Sequence, residues 1–308
     1  MQKGKFNKNK LFLFIGVFLF IMVFVLIITF KLIKINSIEY KLEKKGYNEK
    51  EINEIIKFED KAKKDYILNN KYNEVLPIIF KEKYFKFNNI DLYLKYYAKN
   101  KTPSFLISYV NTQIYDDYYE STKTSDITKG FSVLVNRYNY LPVDYVPENI
   151  VKVDASYAYD GVYISNSIYP MFKEMMDAAK ENNFTLIAFS GYRSGKDQEK
   201  IYNQMKSDYG ERKADSLAAR PGFSEHQTGY VIEVGAYNKE FDKTKEQQWL
   251  LNNSYKYGFI LRYPKDKEKF TGFKHEPCHL RYVGKDVALK IHEENISFDE
   301  YYAYYEGK

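Results

Sequence analysis

The sequence has 308 residues and a formal net charge of +6, but the positive excess is confined to its N-terminal end. Residues 1–34 contain six lysines and no acidic residue, and removing these six from the 47 basic residues leaves 41, which balance the 41 acidic residues. This balance excludes an extended basic groove, so we expect no nucleic-acid partner. The single cysteine, Cys278, excludes an intramolecular disulfide, and folding must rely on a hydrophobic core.

The first predicted element is an apolar segment at residues 11–30, which contains no charged residue. At about 1.5 Å per residue, a helix of this length spans the roughly 30 Å hydrocarbon core of a bilayer. A cleaved signal peptide is the alternative, but its apolar region is typically about 7–15 residues and ends at a small-residue cleavage site. Here the run is longer, and residues 31–34 (KLIK) follow it. We therefore predict an uncleaved single-pass anchor, with residues 1–10 as a cytoplasmic tail and the rest of the chain outside the cell.

Residues 31–108 are charged and show helical periodicity. Asn48 followed by Glu51 indicates a capping box at the start of one helix. Apolar stripes at helical spacing occur at Ile52, Ile55 and Ile56 and again at Leu92, Tyr93, Tyr96 and Tyr97. A recognition surface is one interpretation, but such stripes are more commonly the inner faces of a helical bundle. We predict a small helical spacer whose sequence indicates no chemistry.

Residues 109–308 combine short strands, turns and helices. Helical periodicity predicts helices at 168–181, 196–207 and 247–257, the last ending before Gly258. Apolar runs predict strands at 184–189 and 229–234. Helices that flank a short antiparallel sheet indicate an α+β fold.

Two of the four histidines lie beside carboxylates in a pattern typical of a metal site. His226 precedes the predicted strand that contains Glu233, a carboxylate within an otherwise apolar run. Because burying an ionised carboxylate without a partner is costly, Glu233 needs a cation or a strong donor. Glu276 and His279 form the second pair, three residues apart. Two histidines and one carboxylate are a common catalytic zinc set with one open position, and a further carboxylate can serve as general base.

Each of these signals also has a structural explanation. A single histidine is more often a core or surface residue than a metal ligand. A buried Glu233 is also explained by an ion pair with an arginine such as Arg262 or Arg281. The combination becomes specific for a metal site only through its spacing and the longer sequence motifs that surround these residues.

The longer motifs around these residues resemble the VanY-type D-alanyl-D-alanine carboxypeptidases of the lysostaphin/D-Ala-D-Ala peptidase/hedgehog superfamily. The matching segments follow the order of that family over roughly residues 130–290. They are SGYRS at 190–194, PGFSEHQTG at 221–229, YGFILRYP at 257–264 and EPCHLRYVG at 276–284, together with Gln198 and Trp249.

The resemblance implies a hedgehog/D-Ala-D-Ala-peptidase-like zinc peptidase domain at 109–308. The implied zinc ligands are His226, Glu233 and His279, the implied base is Glu276, the implied oxyanion-binding residue is Arg193, and the implied substrate contacts are Gln198, Ser224 and Cys278. The substrates of the family are peptidoglycan stem peptides that end in D-alanine.

Two positions depart from the family pattern. The third ligand is ordinarily Asp, whereas this chain has Glu233, whose extra methylene displaces the carboxylate unless the backbone or rotamer adjusts. The family has a tryptophan between Pro277 and His279, whereas this chain has Cys278, which removes a large apolar wall beside the substrate. Metal binding by Cys278 itself is disfavoured, because neighbouring side chains on an extended strand point to opposite faces.

We therefore expect a zinc-dependent carboxypeptidase that removes a terminal D-alanine from peptidoglycan stem peptides outside the cell. An L,D-carboxypeptidase acting on tetrapeptide stems uses the same chemistry and stays open, because the sequence does not define the shape of the pocket. A third alternative is a catalytically weak or metal-free wall-binding protein. The two departures favour this alternative, and the intact histidines, base and arginine oppose it.

Overall fold

The structure is a computed structural model that describes residues 8–98, 102–236 and 240–307. The chain divides into two compact units, Met1–Ile107 and Ser108–Lys308. The assignment of residues 1–10, 11–30, 31–108 and 109–308 to a tail, an anchor, a spacer and a peptidase domain stays a prediction.

The first described element is a long helix, α1 (Lys8–Asn36). Its part from Phe14 to Asn36 is long and apolar enough to cross a membrane, and none of that stretch is buried. Length and composition suit a membrane span, and they also suit a signal sequence near the N-terminus.

Short helices follow α1 along the chain. They are α2 (Ile38–Lys45), α3 (Glu49–Ile55), α4 (Lys61–Asn69), α5 (Leu76–Ile79), α6 (Ile90–Tyr96) and α7 (Pro103–Asn111). The predicted capping box at Asn48 and Glu51 is confirmed, because each side chain bonds the backbone N–H of the other residue. Ile52 and Ile55 are buried, which supports the packing interpretation of the first apolar stripe, whereas only Tyr93 of the second stripe is buried and its other members are half-buried.

The second unit contains the mixed part of the fold. Its helices are α8 (Tyr169–Glu181), α9 (Gly195–Tyr209), α10 (Glu211–Leu217), α11 (Lys245–Asn253), α12 (Glu268–Thr271), α13 (Lys285–Glu294) and α14 (Phe298–Tyr301). Its strands are β1 (Lys123–Thr124), β2 (Asn139–Tyr140), β3 (Ile150–Lys152), β4 (Tyr163–Ser165), β5 (Ile187–Ser190), β6 (Val231–Gly235), β7 (Phe259–Tyr263) and β8 (Glu276–Tyr282). Strands β1 and β2 form a parallel pair, and β3 and β4 form an antiparallel pair.

The central sheet has the strand order β5-β6-β8-β7, and all of its neighbouring strands are antiparallel. The last strand along the chain, β8, therefore lies between β6 and β7. The predicted α+β class with a short antiparallel sheet flanked by helices is confirmed.

The predicted element boundaries are close to those observed, with one informative shift. The strand predicted from Phe184 begins only at Ile187. The reason is that the backbone N–H of Phe184 still donates to Ala179 O at 3.0 Å and closes the C-terminal end of α8. Asn183 has a positive φ of 62°, a conformation that asparagine tolerates better than most residues.

Helix α8 packs its apolar face on the central sheet. Phe172 is completely buried there, in a cluster that includes Ile232 of β6 and Leu280 of β8. The single tryptophan, Trp249, packs against the same cluster. This layer of side chains supports the two strands that form the centre of the sheet.

We expect Phe172→Ala to lower the free energy of unfolding by about 3–5 kcal/mol, the usual range for removing a buried ring. Urea denaturation of the full chain in detergent micelles, followed by Trp249 fluorescence, measures the change. Leu289→Ala is the control, because Leu289 is 43% exposed. Equal stabilities of the two variants would contradict the assignment of Phe172 to the core.

Candidate active site

The antiparallel pairing of β6 with β8 places two of the predicted ligands side by side. Glu233 lies directly opposite His279 in the register of the two strands. The Nδ1 atom of His279 is 3.7 Å from Glu233 Oε1. The two residues are distant in the sequence, and the backbone ladder alone makes them neighbours.

His226 reaches the same point from a 3-10 turn at Glu225–Thr228, which ends at Gly229 with a left-handed φ of 74°. Its Nδ1 lies 2.6 Å from the carbonyl oxygen of Gly191. Because a carbonyl accepts, Nδ1 carries the ring proton, and the lone pair of Nε2 faces Glu233 Oε1 at 3.4 Å. A carbonyl partner of this kind is typical of metal-binding histidines.

The three side chains fit a zinc ion. The donor atoms of His226, Glu233 and His279 all lie within 4.8 Å of one another. The two contacts to Glu233, at 3.4 and 3.7 Å, are near the roughly 3.3–3.5 Å that separates ligands in tetrahedral zinc sites with bonds of about 2.0–2.1 Å. Two neutral imidazoles and one carboxylate would leave a zinc centre with a net charge of +1.

The electrostatics favour the protonation states that metal binding requires. Burial disfavours the Glu233 carboxylate, but its interactions with His226, His279 and Arg193 outweigh burial and lower the pKa of Glu233 to about 2. Burial lowers the pKa of His226, which favours the neutral ring. At neutral pH the site therefore presents a carboxylate and a neutral imidazole.

Glu276 begins β8 and lies beside the three potential ligands. Its Oε2 is 3.0 Å from His279 Nδ1, and its side chain is 38% exposed. It does not belong to the group of converging donor atoms found among the described residues. A carboxylate that is close to the metal position, partly hydrated and free of the ligand set has the position of a general base.

Arg193 is held at the site by its backbone and by its side chain. Its N–H donates to His226 O at 3.2 Å, and its Nη1 donates to Gln198 Oε1 at 2.9 Å. Gln198 in turn donates from Nε2 to Ala219 O at 2.8 Å. The backbone at position 191 passes very close to Tyr163. Only glycine fits there, because a Cβ would lie 2.2 Å from Tyr163 O.

These residues line one pocket of about 160 Å³. Of the residues predicted from the sequence, it includes Arg193, Gln198, Ser224, His226, Glu233, Glu276 and His279. It also includes Glu225, Tyr263, Phe273 and an apolar wall of Ile201, Met205 and Leu217, which the sequence analysis did not identify. The helical spacing of Ile201 and Met205 on α9 was the available signal for that wall.

Cys278 is placed differently from the other predicted site residues. The residues that line the metal pocket do not include it, and its side chain packs against the central core. It lines a neighbouring pocket with Phe189, Pro277 and Phe241. Burial, followed by the negative charges of two nearby glutamates, raises the pKa of the thiol to about 12. Cys278 is therefore a protonated thiol at neutral pH, and its role as a substrate wall stays a prediction.

The two arginines considered as partners for Glu233 have other partners. Arg262 Nε donates to Glu225 Oε1 at 2.9 Å, and Arg262 Nη1 donates to Asp299 Oδ2 at 2.6 Å. Arg281 Nη1 lies 3.4 Å from the same Glu225 oxygen. The ion-pair explanation of Glu233 through these arginines is therefore wrong.

Comparison with known proteins gives concordant matches. A family model described as VanY, D-alanyl-D-alanine carboxypeptidase, matches residues 161–285. The YodJ protein of Bacillus subtilis (strain 168) is 38% identical over 213 residues, which make up 62% of this chain and 78% of that protein. A D-alanyl-D-alanine carboxypeptidase of Enterococcus faecium is 31% identical over 243 residues, 76% of this chain and 74% of that enzyme. The solved structure of the LdcB LD-carboxypeptidase is 37% identical, with a TM-score of 0.57 and coverage of 61% of this chain and 94% of that chain.

We expect Glu233→Ala to abolish zinc binding at micromolar metal, because it removes the only anionic donor of the group. Glu233→Asp should retain zinc, since a shorter carboxylate can still bind. Metal content of the full chain after dialysis measures both effects, with Glu199→Ala, an exposed carboxylate on α9, as the control. Full zinc binding by Glu233→Ala would show that this carboxylate is not a ligand. Zinc binding by Glu233→Asp alone would favour the wall-binding alternative.

Proposed function

Because this chain belongs to the VanY family of D-alanyl-D-alanine carboxypeptidases, we propose that it uses zinc to remove a terminal D-alanine from peptidoglycan stem peptides. The chain is a carboxypeptidase of peptidoglycan peptides, and the proposal concerns its metal, its residues and the bond that it cuts. The observation that carries it is the convergence of His226, Glu233 and His279 on one point, with Glu276 and Arg193 in the same pocket.

When bound, zinc supplies Lewis acidity, which polarises a carbonyl group and makes water a better nucleophile at neutral pH. The protein residues around the zinc position transfer protons and stabilise the charge that develops. Glu276 takes a proton from the attacking water and returns it to the nitrogen of the departing D-alanine. Its side chain is 38% exposed, so water can reach the carboxylate.

Arg193 stabilises the negative charge that develops on the scissile carbonyl oxygen. Its guanidinium is fixed through Gln198, so the charge is already oriented when the substrate binds. Burial lowers the pKa of Arg193 but leaves a group that is always protonated at neutral pH. Gln198 and Ser224 are buried at the pocket wall and contact the peptide.

Two bonds are candidates for cleavage. The family favours the D-Ala-D-Ala bond at the end of a pentapeptide stem. The likeness to the LdcB LD-carboxypeptidase favours the bond before D-alanine in a tetrapeptide stem. Both substrates end in the same leaving residue, so the same metal, base and arginine serve either reaction.

The test compares release of D-alanine from the two peptides by wild type and by Glu276→Gln, in the full chain with zinc. We expect wild type to prefer the pentapeptide. We expect Glu276→Gln to keep its zinc and to lose a factor of about 10² or more in turnover, the usual contribution of a positioned acid or base. Glu199→Gln is the control and should retain activity. Turnover by Glu276→Gln within a few-fold of wild type removes Glu276 from this role, and preference for the tetrapeptide assigns the L,D reaction.

We also propose that residues 11–30 anchor the protein in the cell membrane with its catalytic part outside. The support is the unbroken apolar helix and the lysines that precede it. A protease added to intact protoplasts should then digest the catalytic part, whereas a cytoplasmic marker protein stays intact. Recovery of a soluble secreted form that begins near Asn36 would contradict an uncleaved anchor.

A further inference from the structure

A buried group of charged residues lies behind the metal site. We call Glu225, Arg262, Arg281 and Asp299 the Glu225 cluster. The side chains of Glu225, Arg262 and Arg281 are 0% exposed, and that of Asp299 is 3% exposed. Glu225 directly precedes the potential ligand His226 in the sequence. The cluster therefore shares its backbone with the metal site.

Within this region four buried polar atoms have no hydrogen-bond partner among the described residues. They are Glu225 Oε2, Arg262 Nη2, Arg281 Nη1 and His279 Nε2. A buried polar group without a partner costs on the order of 1–3 kcal/mol, so such groups seldom persist together without a reason. Glu225 and His279 line the same pocket.

Donor and acceptor chemistry restricts how these four atoms can be satisfied. The Nδ1 atom of His279 faces Glu233 and is the atom that would bind a metal ion. The ring proton must then reside on Nε2, which becomes a donor in need of an acceptor. The unpartnered atoms of both arginines are donors as well. Among the four, only Glu225 Oε2 can accept.

No direct hydrogen bond joins His279 Nε2 to Glu225 Oε2. A single water has the right capacity to connect them, because it accepts two hydrogen bonds and donates two. It would accept from His279 Nε2 and from Arg262 Nη2 and donate to Glu225 Oε2. These three partners lie within the range of two to four that a buried water usually has.

We propose that Glu225 is a positioning residue for the metal ligand His279, whose Nε2 proton it accepts through one bridging water. The inference rests on the proposed zinc function. Glu225 touches neither substrate nor metal; it fixes the tautomer and the orientation of His279, while Arg262 and Arg281 hold the Glu225 carboxylate ionised. The competing explanation is that Glu225 only neutralises the two arginines.

The experiment measures the zinc dissociation constant of the full chain by competition with a chelator. Glu225→Gln keeps the shape of the side chain and removes its charge, and we expect zinc affinity to fall about 10–100-fold, the usual effect of removing such a partner. Asp299→Asn is the matched control. It removes one carboxylate charge from the same cluster and leaves the link to His279 intact. A purely structural role predicts equal effects of the two variants on zinc affinity, and that result would overturn the proposal.

A second measurement needs no variant and decides the matter if Glu225→Gln does not fold. In the zinc-loaded wild type with ¹⁵N-labelled histidine, the NMR spectrum should show His279 protonated at Nε2, with a proton that exchanges slowly with water. Protonation at Nδ1, or a rapidly exchanging Nε2 proton, would overturn the proposal. Failure of wild type to bind zinc overturns the proposed function and this inference together. Equal zinc affinity of wild type and Glu225→Gln overturns this inference alone.

Discussion

The antiparallel pairing of β6 with β8 is the constraint on which the catalytic arrangement depends. It sets Glu233 opposite His279, and a one-residue slip would turn one of the two side chains to the other face of the sheet. The register is fixed on both sides, because Ile232 and Leu280 pair in the next row and are buried under α8. Packing of apolar side chains therefore determines the distance between two polar ones.

Charge inside this domain is handled in two different ways. The carboxylates of Glu225 and Asp299 are compensated by arginines of the same chain, with contacts of 2.9 and 2.6 Å to Arg262. Glu233 has the imidazoles of His226 and His279 at 3.4 and 3.7 Å and the more distant charge of Arg193. The first arrangement already contains its compensating cations, whereas the second leaves room for one. This contrast distinguishes a carboxylate that is paired within the chain from one that can accept a cation more clearly than burial does.

Much of the fold and of the candidate site could be predicted from the sequence, because the signals are local. Periodicity identified α8 and α9, and the apolar run around Glu233 identified β6. The strand before Arg193 was placed too early, because Phe184 still belongs to the end of a helix. The ion pairs of Glu225 could not be predicted, since its arginines come from β7 and β8, far along the chain. The neighbouring pocket beside Cys278 likewise depends on Phe241, which only the folded chain brings close.

The position of β8 inside the sheet has a consequence for biogenesis. Chains are synthesised from the N-terminus onward, and here the last strand fills the gap between two earlier ones. Until β8 arrives, β6 and β7 lack their shared neighbour, and neither His279 nor Glu276 is available. Non-local strand pairing of this kind folds slowly. The central sheet therefore cannot be completed, and the donor atoms of His226, Glu233 and His279 cannot converge, before the C-terminal part of the chain has been made.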